Sequence, residues 1–363
     1  MVVSCWMKGA PTSVSIAFGT RGGAAIIKPV VVCDSTAKSD APGLKRQTPL
    51  SLSGLITAAG TMVCLATVAG MAGKFHWLLD LCSHFPVQGT ACLLVFAFLL
   101  ALLRKRAVCV VFAVFALLNL IHLWPQFWPI RVSKTSGDAP LTTLLVNVRT
   151  ENREFAKVRD LAITKQADVV VFEEVNNEWM SELTSLSSHF TNVVAEARED
   201  NFGIALFSRL PLRDAKVEHF GDAEVPSIVA HVLAPAGEVL LVATHPLPPV
   251  GAERFSSRNL QLRAVAEYVK SVPGPAIVLG DLNVSPWSYF FKTFAREAGL
   301  VDTTRGRGFQ PTWPTMLPLL AVPIDHCLCS DTIDVLARET GPHIGSDHYP
   351  LTVRLRVRQS RLP

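Results

Sequence analysis

The chain has 363 residues, of which 49% are hydrophobic, with a net charge of +4 and a mean hydropathy of +0.33. That length leaves room for more than one domain, and the charge is too small to argue by itself for a nucleic-acid partner. Six of the eight cysteines precede residue 110. The other two, Cys327 and Cys329, are i, i+2 neighbours on a predicted strand, so neither a disulfide framework nor a spaced Cys/His zinc site is indicated.

In chain order, residues 1–49 lack sustained periodicity and read as a disordered cytoplasmic tail or an overcalled start. Residues 50–123 read as a three-helix transmembrane anchor, 124–140 as a linker and 141–363 as one catalytic α/β domain. The apolar runs 50–71, 87–103 and 107–123 show no polar face at helical spacing and approach the roughly 17–20 residues that a membrane span needs. Arg104, Lys105 and Arg106 between the second and third runs, with Lys45 and Arg46 before the first, mark the cytoplasmic side. The expectation is a multi-pass protein of the inner (plasma) membrane, touching the bilayer through residues 50–123, with its catalytic domain extracytoplasmic.

From Leu141 the pattern alternates strands and helices. Strands are predicted over 144–148, 168–172, 192–195, 203–208, 215–220, 227–233 and 239–245. A helix over 253–272 leads to a strand ending at Asp281, and Ser285-Pro286 reads as the N-cap of a helix through Phe290, Phe291 and Phe294. Strands near 321–330 and 349–356 close the chain. Helices flanking many mixed strands argue for two packed sheets with helices outside.

The stretch Ile277-Val-Leu-Gly-Asp-Leu-Asn283 is a buried strand, a Gly that lets the chain turn, then a carboxylate and a carboxamide two apart. Asp281 suits proton or metal handling there, and Asn283 suits donation to an anion. Polar residues recur after apolar runs at Asn147, Glu174, His245, Asp325 and Asp347 with His348. Each alone also reads as a cap, a solvated side chain or a core histidine. Together they describe a site for an anionic substrate with a hard cation, Glu174 and Asp347 offering oxygen to magnesium or manganese. Arg254, Arg258, Arg263, Arg305 and Arg307 read either as a phosphate-binding mouth or as a solvated face.

The ordered set Asn147; Glu173-Glu174-Val175; Thr244-His245; Gly280-Asp281-Leu282-Asn283; Ile324-Asp325-His326; Gly345-Ser346-Asp347-His348-Tyr349-Pro350 resembles the endonuclease/exonuclease/phosphatase superfamily over about 141–358. The apolar runs and Thr312-Trp313-Pro314 look similar to a membrane-anchored bacterial branch of it. The resemblance implies a four-layer α/β/β/α sandwich, the DNase I-like arrangement, and Mg²⁺- or Mn²⁺-dependent hydrolysis of a phosphodiester in nucleic acid or a phospholipid head group. It implies Glu174 as principal metal ligand with Asn147 and Asp347, and Asp281 activating the attacking water. It further implies Asn283 on a non-bridging oxygen, His348 at the scissile phosphate oriented by Asp325, and His245 on the opposite wall. The chain departs from the pattern at Glu173, where glutamine is usual, at Arg149 and at His326. Glu224 is the nearest candidate partner for His245. The alternative is a catalytically silent, membrane-anchored binding or scaffold protein with the same fold.

Overall fold

The computed structural model describes residues 51–128 and 140–358. The expected tail over 1–49, residues 129–139 of the expected linker and the last five residues lie outside the described residues. The chain runs through α1 (Leu52–Met71), α2 (Trp77–Cys82), α3 (Pro86–Leu102) and α4 (Arg106–Phe127), so the first linker residues continue a helix. There follow β1 (Leu141–Asn147), α5 (Phe155–Thr164), β2 (Val169–Glu173), α6 (Asn177–Leu183), β3 (Asn192–Glu196), β4 (Ile204–Ser208), β5 (Leu212–His219), β6 (Pro226–Ala234) and β7 (Gly237–Thr244). The last elements are α7 (Ala252–Ser271), β8 (Ala276–Asp281), α8 (Tyr289–Ala298), β9 (Leu300–Asp302), β10 (Asp325–Ser330), β11 (Ile333–Thr340) and β12 (Leu351–Val357).

The strands form two six-stranded sheets, ordered β11-β12-β1-β2-β4-β3 and β5-β6-β7-β8-β10-β9. Alternate residues of each central strand divide between two cores. Leu145, Val171, Leu279 and Cys327 meet between the sheets. Leu144, Val170 and Phe172 instead face Val158, Leu161, Trp179 and Leu183 of α5 and α6. On the far side Val242 and Val278 pack on Leu262, Val265 and Phe294 of α7 and α8. Burial on both faces explains why these strands read as continuous apolar runs rather than alternating ones. The result is the expected two-sheet sandwich, helix layers outside.

Two local expectations change. Gly280 does not turn the chain; it lies inside β8. A Cβ there would stand 2.0 Å from the Thr244 carbonyl oxygen and 2.8 Å from Glu173 Oε1, so the glycine permits close approach. The cap of α8 is Ser288, whose Oγ accepts from the Phe290 N–H at 3.1 Å, and not Ser285.

The three transmembrane helices expected ahead of the sandwich are also corrected. Two helices, α1 and α4, are long and apolar enough to cross a membrane by length and composition, and α3 is a shorter apolar helix of 17 residues. The described residues of the helical segment and of the α/β half belong to one compact unit. Polar residues of the helical segment dock on the α/β half. Asp80, on α2, is 1% exposed and pairs with the fully buried Arg258 at 2.9 Å, and it accepts from Ser288 Oγ at 2.6 Å. Gln88 Nε2 donates to the Ala321 carbonyl at 2.9 Å, and Gly308 N–H to that of Gln126 at 2.7 Å. Outward faces of α1, α3 and α4 keep exposed apolar side chains, among them Leu55, Met62, Phe98 and Ile121.

Candidate active site

The site forms where the inner faces of both sheets run out of apolar residues. Continuing the period of two along β1, β2 and β8 past the shared core brings Asn147, Glu173 and Asp281 to the strand ends, and β10 begins on Asp325. Register sets Asn147 against Glu173 and Asp281 against Asp325. Four side chains from distant stretches therefore share one rim.

Tight turns complete it. Asn147 Oδ1 accepts the Arg149 N–H at 3.0 Å and Asp281 Oδ1 accepts the Asn283 N–H at 2.9 Å, the same side-chain-to-backbone turn in each sheet. Arg149, Glu174 and Asn283 adopt positive φ of 58°, 61° and 50°. Left-handed backbone at non-glycine residues is strain that persists only where the surroundings over-determine it. At Glu174 the reversal matters most. By strand parity its side chain would follow Phe172 outward, yet Oε1 accepts from Asn147 Nδ2 at 2.9 Å. Asn283 lies past the end of β8, and its Nδ2 donates to the Pro246 carbonyl at 2.9 Å.

Deep in the rim, His348 Nδ1 lies 2.9 Å from Asp325 Oδ2, while His348 Nε2 and His245 Nε2 each lie 3.6 Å from Asp281 Oδ2. Burial alone would lower His348, but Asp325 and Asp281 outweigh it and raise its pKa to about 10. Burial pushes Asp325 up, and His348, by charge and hydrogen bond, brings the net shift below the usual carboxylate range. Burial dominates at Asp281, and with Asp325 alongside its carboxyl rises to about 8 despite the facing His348. His245 falls to about 3, through burial and then the His348 charge, so its ring is neutral. Burial and then the Asp281 charge push Glu173 well above the ordinary glutamate value. Its Oε2 accepts the Asp281 N–H at 2.9 Å.

A cavity of about 700 Å³ opens on this rim, lined by Glu174, His245, Asp281, Asn283, Asp347 and His348. Asn147 and Asp325 sit behind that lining, hydrogen-bonded to Glu174 and His348. The structure thus brings the predicted set together. Two donor sets suit a divalent cation. Asp281, Asp325 and His348 offer ligand atoms within 4.8 Å of one another. Glu174 and Asp347 add half-buried carboxylates on the cavity wall, Asp347 Oδ2 accepting from Trp313 Nε1 at 3.1 Å.

The arginines divide. Arg254 lines the cavity, Arg263 and Arg305 are exposed, and Arg258 is neither mouth nor solvated face but the buried partner of Asp80. Arg149 pairs with Glu151 at 3.3 Å. Glu224 is exposed, and the Nδ1 of His245 finds no hydrogen-bond partner among the described residues. His326 is structural, its Nε2 2.7 Å from the Val284 carbonyl oxygen. Sequence reasoning missed Leu81, His84 and Phe85, which line the same cavity from the helical segment. The available signal was Asp80, the only acidic residue between positions 50 and 123.

A model described as the Endonuclease/Exonuclease/phosphatase family matches residues 144–348. No curated protein matches the chain. The endonuclease/exonuclease/phosphatase from Beutenbergia cavernae DSM 12333 is similar at TM-score 0.51 and 19% identity, over 61% of this chain and 72% of its own. D. rerio TDP2 complexed with single strand DNA product gives 0.51 and 17%, over 61% and 100%. A Bacteroides vulgatus endonuclease/exonuclease/phosphatase gives 0.50 and 17%, over the same shares. At such identities the likeness is one of fold, and it is a likeness to the two-sheet sandwich. The expected placement in a membrane-anchored branch rested on three spans where the structure has two candidate helices. With it the multi-pass inner-membrane location and the extracytoplasmic catalytic domain are corrected too.

Proposed function

The chain belongs to the endonuclease/exonuclease/phosphatase family, and from that premise we propose that its rim site hydrolyses a phosphodiester, in nucleic acid or a phospholipid head group, by in-line attack of water. Family and acidic/imidazole cluster together make it a metal-dependent phosphoric ester hydrolase. The proposal is the division of labour and the substrate.

Glu174, with Asn147 and Asp347, would hold magnesium or manganese, which neutralises charge on phosphate oxygens and makes water more acidic. Asp281, whose carboxyl is raised to about 8, orients the attacking water and takes its proton. Asn283 turns an amide N–H toward a non-bridging oxygen. His348 enters protonated; Asp325 holds Nδ1–H, so Nε2–H faces the phosphate and stabilises charge on the leaving oxygen. Neutral His245 donates from the opposite wall.

The observation that carries this reading is the placement of His348 between Asp325 at 2.9 Å and Asp281 at 3.6 Å, on a cavity that Glu174 and Asp347 also line. The test is a hydrolysis panel on the full chain with Mg²⁺ or Mn²⁺: DNA, RNA, sphingomyelin, phosphoinositides and an aryl phosphodiester. Turnover is expected on at least one diester, abolished by chelator and cut about 10³-fold by Asp281→Ala. Turnover that persists in chelator, or that falls less than about tenfold in the variant, removes the assignment.

A further inference from the structure

We infer that the substrate carries an aliphatic chain on its phosphoester, read by an apolar wall that the helical segment helps to build on the catalytic cavity. The inference rests on the phosphodiesterase reading above and adds the chemical class of the substituent.

Beside the catalytic groups the cavity has an apolar lining of Leu81, Phe85, Phe202, Pro249, Val322 and Ile324. Val322 and Ile324 are packed at 3% and 8% exposure, whereas Phe85 is left 41% exposed. A half-exposed phenyl beside a hydrophilic rim is surface that an apolar ligand group covers with gain. Leu81 and Phe85 lie outside the stretch that matches the family, so this part of the wall belongs to the chain's own additional segment. Aliphatic and proline side chains outnumber the aromatic ones, which favours an alkyl or acyl chain over a stacked base.

The wall is held in place. Ser285 Oγ and N–H lie 2.8 and 3.2 Å from His84 Nδ1, while Asp80 grips Arg258 at 2.9 Å. Arg258 in turn donates to the Asn283 carbonyl at 3.0 Å. One buried brace therefore fixes both the wall and the turn that carries Asn283, setting the chain-binding surface at a constant distance from the phosphate.

The test is a series of alkyl 4-nitrophenyl phosphodiesters, methyl through octyl, hydrolysed by the full chain with Mg²⁺ or Mn²⁺. The leaving group is constant, so the slope of kcat/KM against chain length reports the wall. About fourfold per methylene is expected until the wall is filled, with the gain in KM. Phe85→Asn and Leu81→Asn should each flatten the slope. A folding defect lowers every ester equally and leaves the slope intact, so slope and fold separate. Binding of alkylphosphonates of rising length, measured by calorimetry, gives the same slope without turnover. A flat series, a slope untouched by both variants, or preference for a thymidine ester over the octyl ester overturns the inference. A protein that hydrolyses all esters alike loses the wall and keeps the catalytic reading. One that binds longer chains more tightly yet hydrolyses none loses the catalytic reading and keeps the wall.

Discussion

The two sides of the catalytic cleft differ in how dry they are. Asp281, Asp325 and His348 are 2%, 1% and 4% exposed and hold one another through hydrogen-bonded or near contacts. Glu174, Asn283 and Asp347 are half-buried, with Glu174 tied to its neighbour Asn147 and Asp347 to Trp313. The dry side can shift pKa values far, because burial removes the competing solvation of water. The wetter side can exchange a cation and admit a phosphate. Under the proposed division of labour, proton transfer and cation binding would occupy separate environments within one cavity of about 700 Å³.

The largest expected effect comes from the dry side. Asp281→Ala removes the carboxylate that faces both histidines, and kcat should fall by about 10³-fold, within the range of a positioned acid or base. Thermal midpoints measured alongside should stay close to the parent. A loss under tenfold would place the base elsewhere. Asp325→Asn comes next, with a fall in kcat of about 10²-fold. Its pH profile sharpens the comparison. His348 is protonated up to about pH 10 because burial is outweighed by Asp325 and Asp281. Removing the Asp325 charge should move the alkaline limb downward, and a profile left unaltered would separate Asp325 from the proton chemistry. On the wetter side, Glu174→Gln should weaken apparent Mg²⁺ affinity by about ten- to hundredfold, with part of the rate restored by excess cation. Unchanged metal dependence would assign the cation to the Asp281–Asp325–His348 group instead.

The same contrast explains what could be read from the sequence. Asn147, Asp281 and Asp325 end or begin apolar strands at period two, so a polar residue there is a local anomaly visible without coordinates. Glu174 and Asn283 reach the cavity through left-handed backbone, which strand parity does not foresee. β11 was missed as a half-buried edge strand carrying Asp334, Arg338 and Glu339, with a register shift after Val335. The helical segment was misread for a different reason. Hydropathy reports that a side chain leaves water, not which apolar surroundings receive it. Only the partner reveals that: Asp80 meets Arg258 across 178 residues of chain, beyond any periodic signal.

The smallest expected effect is on stability, and its sign differs across the neutral range. With chelator present, His348 has a folded pKa of about 10 against an ordinary value of 6.5. Its contribution is complete below pH 6.5 and is lost as pH rises toward 10, because the folded state binds the extra proton. His245, His84 and His326 are depressed to about 3, 4 and 4, burial being the largest cause in each. Their contribution is complete above pH 6.5 and is lost as pH falls toward 4, because the unfolded state then takes up protons that the folded state refuses. Asp281, raised by burial to about 8, loses its contribution as pH rises toward 8 and so opposes the acid limb and adds to the alkaline one. Three histidines outweigh it on the acid side, and the thermal midpoint in chelator should peak at about pH 6.5. Each kcal/mol lost on either limb should lower it by about 2–4 °C. Asp325→Asn should flatten the alkaline limb and spare the acid one. Equal flattening of both limbs would mean that the charged pair does not hold the rim together, and the separation of a dry proton-handling side from a wetter cation side would lose its thermodynamic support.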